Sequence, residues 1–172
     1  MKPQRPVTQK RLKNVALFYL SKYESSAENL RRVLKRRVLK AKLSGADVPA
    51  ETETWIEEII TSVTAAGYVD DKRFAQNLIE KYKAAGKSVK FIVQKLKNAG
   101  IQTESADIGD IDEQEAANRL VKKKKLGPFR PPEKRKECFK KDLAVLARAG
   151  FSFDVACKAL EQTTDDGEND DV

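Results

Sequence analysis

Four groups of side chains in this sequence have the chemistry to act on a ligand or substrate: a set of spaced aspartates, two pairs of adjacent acids, two cysteines, and runs of lysine and arginine. Histidine is absent, which excludes imidazole as base, acid or metal ligand and removes the Ser-His-Asp and Cys-His triads with it. Asp107, Asp110 and Asp112 resemble part of a calcium loop, yet the required glycine and closing bidentate glutamate fall at the wrong offsets, so they read as a solvated acidic linker. Asp70 with Asp71 reads as a helix cap, and Glu57 with Glu58 as an exposed helix face. Cys138 and Cys157 lack a CxxC spacing and fall in helical patterns, so they are expected to be buried, reduced thiols of a cytoplasmic protein and not zinc ligands. No GxxxxGK[ST] or GxGxxG loop is present to anchor a nucleotide. No catalytic, cofactor-binding or metal-binding residue is therefore predicted, no cofactor is expected, and the chain is not expected to be an enzyme.

The basic runs are the remaining signal. Lys122, Lys123, Lys124 and Lys125 complete one helical pattern and lead through a turn, Gly127 to Pro132, that holds Arg130; Lys134, Arg135 and Lys136 open the next. Arg31, Arg32, Lys35, Arg36 and Arg37 form an equivalent cluster nearer the start. Such clusters neutralise phosphates or meet an acidic protein surface, whereas their bland reading is a solvated face beside a proline-rich turn. Like-charge repulsion within one short stretch favours a function. Contacts to a partner or to DNA are assigned on charge to Arg31, Arg32, Lys35, Arg36, Lys122, Lys123, Lys124, Lys125, Arg130, Lys134 and Arg135. No stretch has the compact spacing of a helix-turn-helix, which argues against base-specific reading.

The elements that must position these residues are helices. The chain has 172 residues, of which 40% are hydrophobic, 7% aromatic and 35% charged, a balance that favours an all-α fold over a sheet-rich one. No apolar run approaches the ~20 residues of a membrane span, and the opening MKPQRPVTQK lacks the apolar centre of a secretory signal, so no membrane association is expected. A net charge of +8 is laid out in alternating blocks: 13 bases against 2 acids over 1–45, 7 acids and no base over 46–71, 8 bases against 1 acid over 72–101, 6 acids and no base over 102–118, 12 bases against 3 acids over 119–148, and 7 acids against 1 base over 149–172. Three such cycles predict three units. VALFYLSKY (15–23), FAQNLIEKY (74–82) and AANRLVKKK (116–124) share alanine at the second place and apolar residues at the fifth and sixth, an internal repeat.

A second helix follows in each unit, on Leu30, Val33, Leu34 and Val38, then Val89, Ile92, Val93 and Leu96, then Phe139, Leu143 and Leu146. Third helices are predicted around Trp55 to Val63, weakly near Ser105 to Ile108, and around Phe153 to Leu160. Gly67, Gly100 and Gly150, each followed by a large apolar residue, predict left-handed stops on which Tyr68, Ile101 and Phe151 fold back. Capping boxes are predicted at Ser25 with Glu28, Thr54 with Glu57, and Asp112 with Glu115. The predicted layout is a basic disordered tail (1–10), repeat 1 (11–69) with an insertion near 38–53, repeat 2 (70–111), repeat 3 (112–162) and an acidic disordered tail (163–172).

The segments GYVDDKRFA (67–75), ALFYLSKYESSAENLRRVLKR (16–36) and AGFSFDVACKAL (149–160) resemble the RecX family of regulatory proteins. The resemblance runs over roughly residues 14 to 160, and GY[VIL]DDxxFA is its most specific part. It implies an elongated, curved array of three tandem three-helix repeats that binds the RecA filament, restrains its ATPase, strand exchange and growth, and so regulates homologous recombination and DNA repair. A monomer with at most weak affinity for single-stranded DNA is expected. On this resemblance Asp71 is a cap and Phe74 a core anchor, and with Gly67, Tyr68, Gly100, Gly150 and Phe151 they are structural residues. The 38–53 stretch and the poor helix at 102–111 depart from the family pattern.

Overall fold

The computed structural model describes residues 6–103, 108–109 and 111–161. Among these it contains α-helices and a 3-10 turn at Gly127–Phe129, and no strand. The helices are α1 (Gln9–Leu20), α2 (Ala27–Leu43), α3 (Thr52–Ala65), α4 (Asp71–Ala84), α5 (Val89–Asn98), α6 (Glu113–Lys124), α7 (Pro132–Arg148) and α8 (Phe153–Glu161). The contacts gather the chain into two compact units, residues 1–77 with 96–106 and residues 78–95 with 107–172, where the sequence predicts three repeats. The dividing points fall inside α4 and α5, the two helices predicted for repeat 2. The weak third helix of that repeat falls largely on 105–107, outside the described residues, and so does the acidic tail.

The first unit closes on Leu30 and Leu34 of α2, Ile56 and Val63 of α3, and Ala16 of α1. Each Leu or Ile removed from water here contributes about 1.5–3 kcal/mol, which is why the apolar spacing dictates which face turns inward. Residues 6–10, predicted to be tail, belong to this unit. Val7 is buried and its N–H donates to the Asp47 carbonyl at 3.1 Å, while α1 already starts at Gln9 with Thr8 as its cap. A lone anchoring valine has no periodicity, so pattern reading passes over it. The predicted insertion divides in two: 38–43 prolong α2, and the chain then turns at Ser44 and Gly45 to reach α3.

The second unit closes on Ala117, Leu120 and Val121 of α6, Leu146 of α7, and Ala156 and Leu160 of α8. The alanines at the shared second place of the repeated segment, Ala16, Ala75 and Ala117, are all buried. Small side chains there let helices approach closely. Phe74, by contrast, is only partly buried, and the enclosed positions of α4 are Ala75 and Ile79. Phe74→Ala should therefore lower stability by about 2 kcal/mol, less than the 3–5 kcal/mol of a fully enclosed ring. Urea unfolding of the full chain checks this, and a loss above 4 kcal/mol would show the ring to be a core anchor after all.

All three glycine stops form. Tyr68 N–H donates to Val63 O, Ile101 N–H to Leu96 O and Phe151 N–H to Leu146 O, the six-residue closure that follows a left-handed residue. Ile101 and Phe151 fold back and are buried, but Tyr68 is exposed, and Val69 takes the inner place instead. Gly100 and Gly150 have a second reason to be glycine. A Cβ at Gly100 would lie 2.4 Å from the Glu28 side chain, and one at Gly150 would lie 2.3 Å from Ser88 Oγ and 2.9 Å from Phe91 Cβ.

Those two close approaches belong to a junction that recurs. In the first unit Ser26 caps α2, accepting from Asn29 N–H at 3.1 Å and donating from Oγ to the Ala99 carbonyl at 2.6 Å. In the second, Ser88 stands before α5 and accepts from Phe91 N–H at 3.1 Å, while its own N–H donates to the Ala149 carbonyl at 3.2 Å. Ser26 and Ser88 are fully buried, and Ala99 and Ala149 each precede the stop glycine. A buried hydroxyl so placed satisfies itself and an orphan helix N–H together.

The predicted capping boxes fare unevenly. Asp112 accepts from Glu115 N–H at 2.9 Å as expected. The cap of α2 is Ser26 and not Ser25, and Thr54 lies inside α3, whose first turn has no side-chain cap.

Candidate functional site

Charge alone put eleven basic residues on a partner surface, and the structure separates them by what they touch. Arg31 is committed within the first unit, with Nε and Nη2 on the two Glu57 oxygens at 2.7 and 2.8 Å and Nη1 on Glu28. The Glu57 and Glu28 carboxylates hold its guanidinium well above the usual value. Arg31 and Arg32 in turn lower the pKa of Glu28 against the opposing pull of burial. Arg32 reaches Glu28 at 3.0 Å and the Asn98 carbonyl, and Lys35 lies 3.6 Å from Glu53. Arg36 alone of that cluster's assigned residues is exposed with no ion pair among the described residues.

In the second unit the two arginines are braces. Asp142 of α7 is 1% exposed and accepts two hydrogen bonds from Arg130, Nε to Oδ2 and Nη2 to Oδ1, each 2.8 Å, and a third from Gly127 N–H at 3.0 Å. Burial pushes the Asp142 carboxyl up, but the Arg130 hydrogen bonds, the Gly127 N–H and the guanidinium charge outweigh it and hold it below the ordinary range. Arg135 closes the same turn, donating to the Arg130 carbonyl at 3.0 Å and the Pro128 carbonyl at 2.8 Å. The proline-rich turn is thus fixed by its own arginines, Arg130 paired with an acid and Arg135 held on backbone carbonyls.

Among the described residues, the assigned ones of this unit left without a side-chain hydrogen-bond partner are lysines. Lys122, Lys123, Lys124 and Lys125 at the end of α6, with Lys134 at the start of α7, are all exposed, and none makes an ion pair among the described residues. Lys125 takes the left-handed conformation (φ 51°) where the other stops use glycine, and the chain turns there into Leu126, which is buried.

The remaining predicted residues are structural in different ways from those expected. The cap entering α4 is Asp70, which accepts from Arg73 N–H at 3.0 Å. Asp71 accepts from Ala27 N–H at 2.8 Å and so ties the start of α2 to α4. Of the pair Asp70 and Asp71 read as the cap, Asp70 is the one that caps, and the choice of Asp71 that the resemblance implied is displaced by one residue. Glu24, which no pattern singled out, takes Arg73 at 3.2 Å and Asn77 Nδ2 at 2.9 Å on the same side of the junction. Asp107 and Asp110 lie outside the described residues, and Asp112 is spent as the α6 cap. Among the described residues no three metal-binding side chains come together. Both cysteines are free and partly exposed, not buried as expected. The Cys157 thiol is pushed up by burial and by Glu161 and Asp154, which makes it a poor nucleophile. No helix among the described residues is long and apolar enough to cross a membrane.

The fold and these residues define the class: an all-helical, strongly cationic protein whose unpaired charges among the assigned residues are mostly lysine ammoniums. The chain is 38% identical over 169 residues to the Regulatory protein RecX of Myxococcus xanthus, covering 92% of this chain and 90% of that one. It is 29% identical over 163 residues to the Regulatory protein RecX of Agrobacterium fabrum, covering 91% and 85% of the two chains. A third, from Corynebacterium efficiens, is 28% identical over 172 residues, covering 88% and 80%. No protein-family model matches the chain. The chain belongs to the RecX family of regulatory proteins.

Proposed function

We propose that this protein binds the nucleoprotein filament of the RecA recombinase and restrains its ATPase, strand exchange and growth, acting in the regulation of homologous recombination and DNA repair. The observation that carries the reading is family membership along nearly the whole chain. The recurring Ser26–Ala99 and Ser88–Ala149 junctions support its division into three successive helical repeats, 11–69, 70–111 and 112–162. The exposed lysines of α6 and α7 supply the contact: Lys122, Lys123, Lys125 and Lys134 meet acidic protein surface or backbone phosphate, and Arg36 adds to them from α2. Several weak contacts along a helical polymer add through multivalency. Arg31, Arg32, Lys35 and Arg130 are paired with acids and Arg135 is held on backbone carbonyls, so these five serve the scaffold first.

Co-sedimentation with RecA filaments tests the reading, with bare single-stranded DNA as the comparison. Binding to filaments should exceed binding to bare strands and should survive moderate salt, where non-specific DNA affinity falls steeply. The second reading, a basic helical module that binds single- or double-stranded DNA directly, rests on the same lysines. Equal retention on bare DNA, with a linear loss against the logarithm of salt concentration, would replace the filament reading with it.

A further inference from the structure

Around the turn that joins α4 to α5, the second unit gathers lysines that no acid pairs with among the described residues. Lys87 Nζ lies 4.8 Å from the centre of the Phe91 ring and Lys95 Nζ lies 5.1 Å from it. Tyr82 meets the same ring edge-on, with centroids 5.2 Å apart. The Lys124 charge of α6 bears on Lys87, which is itself partly buried. None of these three lysines makes an ion pair among the described residues. Of the acids near this turn, Glu113 accepts from the Val89 N–H at 2.7 Å, Asp112 caps α6, and Glu115 pairs with Arg119 at 3.0 Å.

The arrangement is rigid. Phe91 N–H is held by Ser88 Oγ, and Ser88 N–H by the Ala149 carbonyl, so the ring and the lysines around it stand on a fixed helix start. Folding does not require the charges. Burial, Lys124 and Lys95 all disfavour the Lys87 ammonium, and glutamine in its place would relieve that cost. The ring quadrupole offsets part of the repulsion and keeps the ammoniums near one another.

Charges held together at a cost suit an anionic partner, and the ring indicates which kind. A single-stranded nucleic acid takes its affinity from phosphates and from bases stacked on open aromatic faces. Phe91 already has two ammoniums over it and Tyr82 against it, which makes it a poor platform for a base. Carboxylates need no open ring, since each accepts from one or two ammoniums where they stand.

We infer that Lys87 and Lys95, gathered over Phe91, form the centre of a docking site for a carboxylate-rich segment of a partner protein, with Lys124 of α6 adding its charge. The site stands on the geometry of the second unit alone, and a failure to restrain RecA would leave it untouched.

The probes are a fluorescent short poly-glutamate peptide and an oligo-dT of matched charge, titrated against the full chain at low salt. Lys87→Gln/Lys95→Gln/Lys124→Gln should weaken the peptide by about tenfold, three ion pairs at about twofold each. Lys13→Gln/Lys22→Gln/Lys40→Gln removes the same net charge from exposed lysines elsewhere and should weaken it by less than about twofold. Circular dichroism of both variants guards against loss of fold. If the two variants weaken the peptide equally, the cluster is not a site. If the first variant costs oligo-dT more than the peptide, the cluster reads nucleic acid, and the inference is overturned.

Discussion

Reversing Lys122, Lys123 and Lys134 to glutamate is expected to abolish inhibition of RecA ATPase on single-stranded DNA while leaving the helices intact. All three side chains are exposed and make no ion pair among the described residues, so their removal strands no internal partner. They lie in the stretch 119–148, where twelve bases face three acids. One of those three acids, Asp142, is buried and spent on Arg130, which leaves the exposed face still more positive. A surface of this kind speeds encounter with an acidic or phosphate-bearing partner and weakens with salt, because exposed charges are screened beyond about 8 Å at physiological ionic strength. The assay is steady-state ATPase at a fixed ratio of protein to recombinase, with helicity followed by circular dichroism. A folded variant that inhibits as well as the wild type would reduce these lysines to a solubility feature and place the contact on the first unit, around Arg36. Arg130 and Arg135 stay out of the variant, since reversing either would dismantle the turn and produce a loss of function with the wrong cause.

That exclusion marks where the sequence is legible and where it is not. Helix positions follow from apolar spacing because burying a stripe fixes which residues turn inward, and Leu30, Leu34, Ile92, Leu96 and Leu146 are all fully buried. Stops follow from glycine because few other residues take the left-handed conformation without cost, and Gly67, Gly100 and Gly150 all take it. Lys125 escapes the rule and goes unforeseen. Charge is the poorest guide to the site. Counting bases cannot tell a free ammonium from a guanidinium that has found an acid, and the acids that neutralise Arg31 and Arg130 are Glu57, 26 positions away, and Asp142, 12 positions away. Fivefold hydrogen-bonding geometry makes arginine the usual brace and leaves lysine on the surface, and that chemical difference sorts the assigned residues better than their position in a run does. Lys87 and Lys95, the lysines at Phe91, went unassigned for another reason: they stand eight residues apart and form no run. An aromatic flanked by lysines four residues before and after it, KSVKFIVQK, is the signal that could have found them.

The largest loss of stability is expected from Asp142→Ala. Leu96 and Leu146 each precede a stop glycine by four residues, so Asp142 falls at the place that Ile92 holds in α5, and Ile92 is fully buried. An acid in an apolar position is tolerated only when every acceptor is used, and here Arg130 and Gly127 fill both oxygens. Alanine would leave the buried Gly127 N–H without a partner and would open a cavity beside Leu146. Unsatisfied buried groups cost about 1–3 kcal/mol each and charged hydrogen bonds contribute about as much, so a loss of roughly 3 kcal/mol is expected, a fall in Tm of about 10 °C for a chain of this size. The pH dependence gives an independent check. Because the folded Asp142 pKa is lowered, its contribution is fully present above the ordinary carboxylate value near 4 and disappears as pH falls through the folded value. Wild type and variant should therefore differ most at neutral pH and converge in acid. Asp142→Leu restores the volume without the acceptors and should recover only the packing part of the loss, remaining less stable than wild type at pH 7. Thermal unfolding of the three proteins across pH decides the matter: if Asp142→Ala melts with the wild type at neutral pH, the Arg130–Asp142–Gly127 network holds nothing, and the turn before α7 is set by its prolines alone.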